Sequence, residues 1–379
     1  MEGNHSAPRH APHTASAPTR SAQKKTSPVI SDILTVLLMT GVILVVFSFF
    51  HHVLPRLTAS TEEIVPISTA APKESASQAE VITVVTPSPS PESSPQEEVT
   101  DEPVPSAEPD TRTPWQIKFE EHFTDEVIKT DSSYSSPNIS VTIETRAGTY
   151  GDYYQTIYIA DIYVASIDCL KTYFSYDKFT YYGEEDPTTI SANSGAILSI
   201  NGDYCNNQQS GLLVRNGNVY YDDAPDCDIC VLYYDGTVET LSPGAYSPEE
   251  VLAAGPYQSW KFGPMLLDSS GKALTSFNTT SVIESEAAPR TGFGYYEPGH
   301  YCFVVVDGRQ SHSRGMVLSE LAQLFEELGC TCAYNMDGGA SSVMYFDSSI
   351  YNIPSAYRKL GDILLLAEPE DTAAEVPAE

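Results

Sequence analysis

The stretch AYNMDGGASSVMYF (Ala333–Phe346) places Asn-x-Asp-Gly-Gly and a pair of serines between two apolar runs. We predict a strand over Thr331–Met336 that delivers Asp337 to its C-terminal end. Gly338 and Gly339 then allow a positive φ or a close approach of a ligand to the backbone, and consecutive amides in such a turn can bind an anion. A strand-end carboxylate beside bare amides and hydroxyls suits a sugar or a phosphate. The alternative is an ordinary β-turn in which the aspartate caps its own backbone.

Three other segments of the chain end in similar polar turns. An apolar strand precedes Asn-Gly-Asp at 201–203, another precedes Asp-Gly-Arg at 307–309, and APRTGFG places an arginine before two glycines. If these ends converge, two arginines could hold a phosphate bidentately, and one carboxylate could act as a base or nucleophile at an anomeric carbon. A simple hairpin corner remains the alternative at Asp203 and Asp307. The residues that convergence would bring together are Asn201, Asp203, Arg290, Asp307, Arg309 and Asp337.

Residues 115–367 alternate short apolar strands with turns. Ile139–Thr145 and Gln155–Ala165 alternate apolar and polar residues, as half-buried strands do. Asn-Gly at 216–217 lies between apolar runs and predicts a two-residue hairpin. Capping residues and apolar spacing predict helices in SPEEVLAA (Ser247–Ala254) and VLSELAQLFEELG (Val317–Gly329). We therefore predict an α+β domain with a strand-rich mixed sheet and a few helices.

The N-terminal part of the chain predicts a membrane anchor. The stretch ILTVLLMTGVILVVFSFF (Ile33–Phe50) has no charged residue, and at about 1.5 Å per residue it is long enough for a bilayer core. A buried core helix and a cleaved signal segment are the alternatives. Basic residues predominate before this stretch, which by the positive-inside rule places the C-terminal bulk outside the cell. We expect a cytoplasmic tail (1–30), a single-pass anchor in the cell membrane (31–54) and an extracellular domain (115–367).

Two segments are predicted to be disordered. Residues 55–114 are rich in Pro, Ser, Thr and Glu, and residues 368–379 form a short acidic tail. Both contain too few large apolar side chains to offset the chain entropy lost on folding. The first would act as a stalk that holds the domain away from the membrane. The formal net charge of −31 excludes nucleic acid as an expected partner, because the phosphate backbone would be repelled.

The seven cysteines all lie in the predicted extracellular domain. Disulfides can form outside the cell, and an odd number leaves at least one thiol free or available to another chain. Cys227 and Cys230 are spaced for a tight-loop disulfide. Together with Cys330 and Cys332 they could instead form a Cys₄ zinc site, although the strand-like spacing of the second pair argues against a zinc knuckle.

The order of these motifs resembles the phosphodiester glycosidase family. The resemblance runs through SINGDYCNNQQSGLLVRNGNVYY, KFGPMLLDSSGKAL and the segment from APRTGFG to NMDGGASSVMYF, and covers about Ser191–Leu366. It implies hydrolysis of the glycosidic bond between a sugar and a phosphodiester. The sequence departs from the family pattern at three places. Ala340 stands at the third glycine of the last motif, and Val317 stands where a threonine usually caps the helix. The turn after Asn201 reads Gly-Asp-Tyr-Cys rather than the commoner Gly-Gly-Phe-Phe. The family's elements fall on Asn201 and Gly202, on Arg290, Thr291 and Gly294, on Asp307, Gly308 and Arg309, and on Asn335, Asp337, Gly338, Gly339 and Ser341.

The resemblance also implies roles for these residues. Asp337 would be the leading catalytic carboxylate and Asp307 the second, and Arg290 and Arg309 would bind the phosphate. A divalent cation could bridge the carboxylates and the phosphate, but no cofactor is certain. The expected partners are a carbohydrate phosphodiester, as in cell-surface glycopolymers, and the membrane. The remaining positions, expected to bind the sugar or orient the acids, are Asn201, Asn335, Gly338, Gly339 and Ser341.

Two other functions compete with this interpretation. A serine hydrolase would use Ser341 or Ser342 with one of the domain's histidines, but the nucleophile-elbow pattern G-x-S-x-G is absent from the sequence. A non-catalytic protein that binds cell-wall polysaccharide or teichoic acid is the second alternative. The 24 tyrosines could supply stacking surfaces for sugars, and Ala340 departs from the family pattern.

Overall fold

The computed structural model describes residues 28–48, 66–68, 110–150, 152–207, 211–223 and 226–369. The chain divides into two units, Met1–Ala59 and Ser60–Glu379. The first unit contains a helix, α1 (Pro28–Ser48). Within the described ranges, no helix combines the length and apolarity needed to cross a bilayer. Most of the predicted cytoplasmic tail, the end of the predicted anchor, most of the predicted stalk and most of the acidic tail lie outside the described residues.

The second unit is built mainly of strands. The helices among its described residues are α2 (Pro114–Lys118), α3 (Pro187–Asn193), α4 (Pro248–Ala253), α5 (Ser281–Ser285) and α6 (Leu318–Glu327). Its strands are β1 (Ile67–Ser68), β2 (Ile128–Lys129), β3 (Ser133–Ser135), β4 (Ile139–Tyr150), β5 (Tyr153–Val164), β6 (Leu170–Phe174), β7 (Leu198–Asn201), β8 (Leu212–Arg215), β9 (Asn218–Asp222), β10 (Ile229–Tyr233), β11 (Val238–Leu241), β12 (Pro256–Trp260), β13 (Arg290–Glu297), β14 (His300–Val306), β15 (Cys332–Asn335), β16 (Met344–Phe346), β17 (Ser349–Ile350) and β18 (Asp362–Leu366).

The described strands form four sheets. The largest has the order β15-β13-β14-β5-β4-β3-β2, and a five-stranded sheet has the order β17-β16-β7-β18-β6. Two three-stranded sheets have the orders β11-β10-β12 and β1-β9-β8. Strand β1 lies within the predicted stalk and pairs with β9.

The architecture fits the predicted α+β class, but the prediction of a mixed sheet is corrected. Every strand pair in the described residues is antiparallel. A helix that connects two strands suggests parallel neighbours, and α6 does connect β14 to β15. Both strands instead pair with β13, which lies between them, so the crossover creates no parallel pair.

Local signals in the sequence account for several turns and helix ends. Asn216 and Gly217 both have positive φ, 50° and 72°, as the Asn-Gly hairpin signal predicts. Ser247 caps α4: its hydroxyl oxygen accepts from the Glu250 amide at 3.2 Å, and the Glu250 carboxylate accepts from the Ser247 amide at 2.9 Å. Helix α6 lacks a side-chain cap at Val317. The Val317 amide instead donates to the carboxylate three residues later, at 3.1 Å.

The centre of the seven-stranded sheet, at β14, is buried on both faces. Successive side chains of a strand point to opposite faces, so Phe303 and Val305 of β14 pack into the core shared with the five-stranded sheet. Val304 and Val306 point the other way and pack under α6. A strand buried on both faces needs a continuous apolar run, which explains YCFVVV in the sequence.

Candidate active site

Antiparallel pairing brings polar residues at the ends of three neighbouring strands to the same end of the large sheet. Strand β13 begins at Arg290, which is opposite Val306 at the C-terminal end of β14. Further along β13, Gly292 is opposite Asn335 at the C-terminal end of β15. Because antiparallel partners run in opposite directions, the turns that follow β14 and β15 flank the start of β13. Three of the four predicted polar segments therefore meet.

Asn201, the last residue of β7, joins the fourth segment to the other three. Its Nδ2 donates to the main-chain oxygens of Asp337 at 2.7 Å and Gly202 at 3.1 Å. Its Oδ1 accepts from the Thr291 hydroxyl at 2.7 Å and the Val343 amide at 3.3 Å. The side chain is 1% exposed and is held on every side, so it fixes where the Asp337 main chain lies.

The turn after Asp337 needs its two glycines for different reasons. Gly339 has a φ of +64°, which favours glycine. Gly338 has an extended backbone, but a Cβ there would lie 2.9 Å from the Pro289 carbonyl oxygen. The Gly338 amide donates to Asp337 Oδ1 at 2.8 Å, and the Gly339 amide donates to Pro289 O at 2.9 Å. Both amides are thus engaged within the protein.

The carboxyl group of Asp337 is desolvated. Burial raises its pKa above the ordinary value for aspartate, and the negative charge of Asp203 adds to the rise. The Ser341 hydroxyl, the Arg358 guanidinium and the Gly338 amide favour the charged form and oppose the rise in pKa. Near neutral pH, Asp337 therefore carries a proton more often than an exposed aspartate does.

Three buried polar atoms of the same motif have no hydrogen-bond partner in the described part of the chain. They are Asn335 Oδ1, Ser341 Oγ and Ser342 Oγ, on side chains that are 0%, 2% and 1% exposed. Ser341 lies near enough to influence the Asp337 pKa, but its oxygen is not in hydrogen-bonding geometry. The Asn335 amide nitrogen donates to Gly263 O at 2.7 Å. An unpaired buried polar atom costs about 1–3 kcal/mol, so three of them in 335–342 call for partners beyond the described protein atoms, such as water or a ligand.

The two arginines predicted to bind phosphate have different surroundings. Arg309 is half exposed, with Nη2 2.8 Å from Glu286 Oε1, and its Nη1 would lie 3.1 Å from a Cβ on Gly339. Arg290 is buried, and burial lowers its pKa to about 10. Arg309 therefore faces the Asp337 turn, whereas Arg290 holds the α5 segment against β13. The Arg290 guanidinium donates at 2.7–2.9 Å to three main-chain oxygens, those of Ile283, Glu286 and Met316.

Asp307, predicted to be the second catalytic carboxylate, is 1% exposed and surrounded by donors. One of these donors, Asn352 Nδ2, also donates to the main-chain oxygen of Ser342 at 3.2 Å. Asp307 therefore links the end of β14 to a segment that lies against the Asp337 motif. The groups within 3.0–3.3 Å of its carboxylate oxygens belong to Tyr158, His312, Asn352 and Ile353.

Arg358 is a site residue that the sequence motifs did not identify. It lines a cavity of about 290 Å³ beside Ser341 and Ala340. Its guanidinium carbon lies 5.2 Å from the centre of the Tyr204 ring, and among the described residues it forms no ion pair within 4.0 Å. The sequence offered one indication of this role: Arg358 is a basic residue that follows the last motif in a strongly acidic chain. The other residues that line the cavity are Asp186, Pro187, Val343, Ile350, Pro354, Ala356 and Tyr357.

Asp203 lies in a buried ion cluster with Arg215 and Asp362. Arg215 Nη2 donates to Asp203 at 2.7 Å and to Asp362 at 3.1 Å. Desolvation raises the pKa of Asp362 to about 6, against the attraction of Arg215. With Cys205, the two carboxylates form the group of possible metal ligands found in the described residues, with ligand atoms within 4.8 Å of one another. Since the guanidinium bonds to both carboxylates, the cluster does not fit a divalent cation.

The four cysteines considered for zinc do not form a group of possible metal ligands in the described residues. Cys227 Sγ donates to Lys261 O at 2.7 Å, and Cys332 Sγ donates to Thr240 Oγ1 at 3.8 Å. These two thiols therefore have other partners, and the Cys₄ alternative is not supported.

Comparisons with known proteins find a family whose model matches part of the chain. The model of the phosphodiester glycosidase family matches residues 194–367. The SPbeta prophage-derived uncharacterized protein YomE of Bacillus subtilis (strain 168) is 26% identical over 262 residues, which cover 64% of this chain and 40% of that protein. The chain thus corresponds to about two-fifths of the length of this curated relative.

A solved structure shares the fold. The catalytic domain of zebrafish N-acetylglucosamine-1-phosphodiester alpha-N-acetylglucosaminidase, auto-inhibited by its pro-peptide, matches with a TM-score of 0.50 and 18% identity. The match covers 64% of this chain and 88% of the zebrafish chain. The motifs, the family match and the shared fold agree, and the resemblance of residues 194–367 to the phosphodiester glycosidases is confirmed.

Proposed function

We propose that residues 115–367 hydrolyse the glycosidic bond of a sugar-1-phosphodiester. The observation that carries this proposal is the desolvated Asp337 carboxyl beside the unpartnered polar atoms of Asn335, Ser341 and Ser342. Sugar hydroxyl groups both donate and accept hydrogen bonds, so a bound sugar could supply partners for such atoms. The similarity of residues 194–367 to phosphodiester glycosidases supports a phosphodiester as the leaving group.

Arg309 and Arg358 are the proposed phosphate ligands. Arg309 lies against Gly339, and Arg358 lies on the cavity wall beside Ser341, so both cations are close to the Asp337 motif. The ion pair of Arg309 with Glu286 is 46% and 47% exposed, and such pairs contribute only about 0–1 kcal/mol. A phosphate could therefore replace the Glu286 carboxylate. Arg290 has committed Nε and Nη2 to main-chain oxygens and supports the site by positioning it.

In the proposed reaction, ionised Asp337 acts as base or nucleophile at the anomeric carbon while the bond from that carbon to the phosphate oxygen breaks. A phosphodiester is a weakly basic leaving group that needs little protonation, so the main requirement is to stabilise its charge, which the two guanidinium groups provide. Water supplies the new hydroxyl group, and the products are the free sugar and a phosphomonoester. Asp307 contributes by holding Asn352 and Ile353 in place.

We further propose where this reaction occurs. Residues 31–54 would anchor the chain in the cell membrane, with the domain outside the cell and cell-surface glycopolymers as substrates. The support is the uncharged stretch Ile33–Phe50 and the basic residues that precede it.

Hydrolysis of hexose- and N-acetylhexosamine-1-phosphate methyl diesters in water labelled with heavy oxygen tests the proposed bond cleavage. We expect free sugar with the label in its anomeric hydroxyl group, together with unlabelled methyl phosphate. Label in the phosphate would show phosphodiesterase cleavage and contradict the proposal. Saturable binding without release of sugar would favour the polysaccharide-binding alternative.

A further inference from the structure

We propose that Cys302 and Cys330 form a disulfide that covalently joins β14 to the segment between α6 and β15. Their sulfur atoms lie 3.6 Å apart, at van der Waals contact, and a bond of about 2.05 Å requires them to approach by about a further 1.5 Å. Both side chains are buried, at 0% and 3% exposed. The proposal does not depend on the catalytic function.

The space around the two sulfur atoms depends on a glycine of the neighbouring strand. Gly294 of β13 is directly opposite Cys302 in the register. A Cβ on Gly294 would lie 2.6 Å from Cys302 Sγ and 2.8 Å from Cys330 Sγ. Gly294 has no positive φ, so its backbone conformation does not require glycine, and glycine weakens a strand interior. The close approach of both sulfurs, and of the Phe325 ring at 2.8 Å, explains the residue.

Several of the other thiols have partners of a different kind. Cys169 Sγ donates to Asn138 O at 3.7 Å, and Cys205 lies in the ion cluster with the two aspartates. Cys227 and Cys332 donate to oxygen atoms, as described above. Within the described residues, Cys302 and Cys330 are the two thiols that contact each other.

The proposed oxidation is a thiol–disulfide exchange with a disulfide-bearing oxidoreductase or a low-molecular-weight disulfide. One thiol loses its proton and attacks the oxidant, which gives a mixed disulfide and releases one thiol. The second cysteine then displaces the remaining oxidant sulfur, so two protons and two electrons leave the pair and the oxidant is reduced to two thiols. Burial raises the pKa of Cys302 well above its usual range. The bond would therefore form before α6 packs on β14.

Refolding of the full chain in a buffer of reduced and oxidised glutathione tests this proposal. The refolded protein is alkylated in denaturant, digested and analysed by mass spectrometry. We expect a cross-linked peptide that contains Cys302 and Cys330, with the other five of the seven cysteines alkylated. Alkylation of both Cys302 and Cys330, or their recovery in cross-links to other cysteines, would overturn the proposal.

A second measurement uses thermal unfolding. The oxidised wild type should resist reductant while folded, and its melting temperature should fall once the bond has been reduced in denaturant and the protein refolded. The Cys302→Ala/Cys330→Ala double variant should show no such response, whereas Cys169→Ala, which removes a buried thiol outside the pair, should respond like the wild type. An identical response of the wild type and the double variant would contradict the proposal. If the double variant does not fold, the mass-spectrometric result on the wild type decides alone.

Discussion

Asn201 donates its side-chain amide to the main-chain oxygen of Asp337 at 2.7 Å. A residue at the end of β7, in the five-stranded sheet, thereby positions a carboxylate at the end of β15, in the seven-stranded sheet. The same side chain accepts from Thr291 at the start of β13. Two sheets and three strand ends are therefore locked together by one amide group.

Replacing this cross-link should affect both stability and activity. Asn201→Ala leaves the Asp337 carbonyl and the Thr291 hydroxyl without their buried partner, and we expect a loss of about 1–3 kcal/mol in the free energy of unfolding. Urea denaturation measures the loss, and Asn193→Ala at an exposed position is the control. Equal stability of both variants would show that the cross-link contributes little.

Asp337 should be the carboxylate on which turnover depends. Asp337→Asn preserves the size of the side chain and removes its charge, and we expect kcat to fall by about 10²–10⁴-fold, the usual contribution of a general acid or base. The assay is release of free sugar from a sugar-1-phosphate methyl diester. Asp131→Asn, at an exposed position of the loop between β2 and β3, should retain full activity. Wild-type turnover by Asp337→Asn would remove Asp337 from its proposed role.

The raised pKa of Asp337 should appear in pH profiles. If the ionised form reacts, the acidic limb of the kcat/KM profile lies at a higher pH than an ordinary aspartate would give, and Asp337→Asn lacks this limb. The sign for stability is the opposite of a salt-bridged aspartate, because protonation favours the folded state when the folded pKa exceeds the unfolded one. We therefore expect Asp337→Asn to be more stable than the wild type at neutral pH. The difference should shrink as the pH falls through the raised pKa, and a constant difference would contradict this assignment.

Arg358 should contribute to recognition of the phosphate. Arg358→Ala removes a cation from the cavity wall, and we expect kcat/KM to fall by about 10- to 100-fold, as for a lost hydrogen bond to a charged group. Arg358→Lys should recover part of the loss, because the charge remains but the planar donor fork does not. The exposed neighbour Lys359→Ala serves as the matched control. Losses of equal size in the Arg358 and Lys359 variants would indicate a general effect of surface charge.

Gly294 should not tolerate a methyl group. A Cβ there would overlap Cys302, Cys330 and Phe325, and overpacking of this kind costs about 1–3 kcal/mol. Gly148→Ala is the comparison, since a Cβ on Gly148 would meet no atom within 4 Å and the residue also lies in a strand. Urea unfolding should show a loss for Gly294→Ala and little change for Gly148→Ala. Similar stability of the two variants would mean that the core relaxes around the added group.

Features that depend on a few neighbouring residues could be predicted from the sequence. The Asn216-Gly217 hairpin, the Ser247 cap of α4 and the positive φ of Gly339 are examples. Each follows from backbone preferences and hydrogen bonds that act over one turn of chain. Each polar motif is a contiguous run of residues, so the sequence also identified Asn201 and Asp337. The order of the motifs indicated the resemblance to the phosphodiester glycosidase family.

The partners of buried side chains were decided by the tertiary structure. Asp307 accepts a hydrogen bond from Tyr158, 149 positions earlier. Arg290 donates to main-chain oxygens and so is not open to a ligand through those donors. Arg358 reaches the site because the chain folds back beside Ser341. Desolvation and hydrogen-bond satisfaction depend on which distant segments pack together. The sequence by itself therefore determined the motifs and the local turns. Only the packing of the sheets determined which polar groups have hydrogen-bond partners within the protein and which do not.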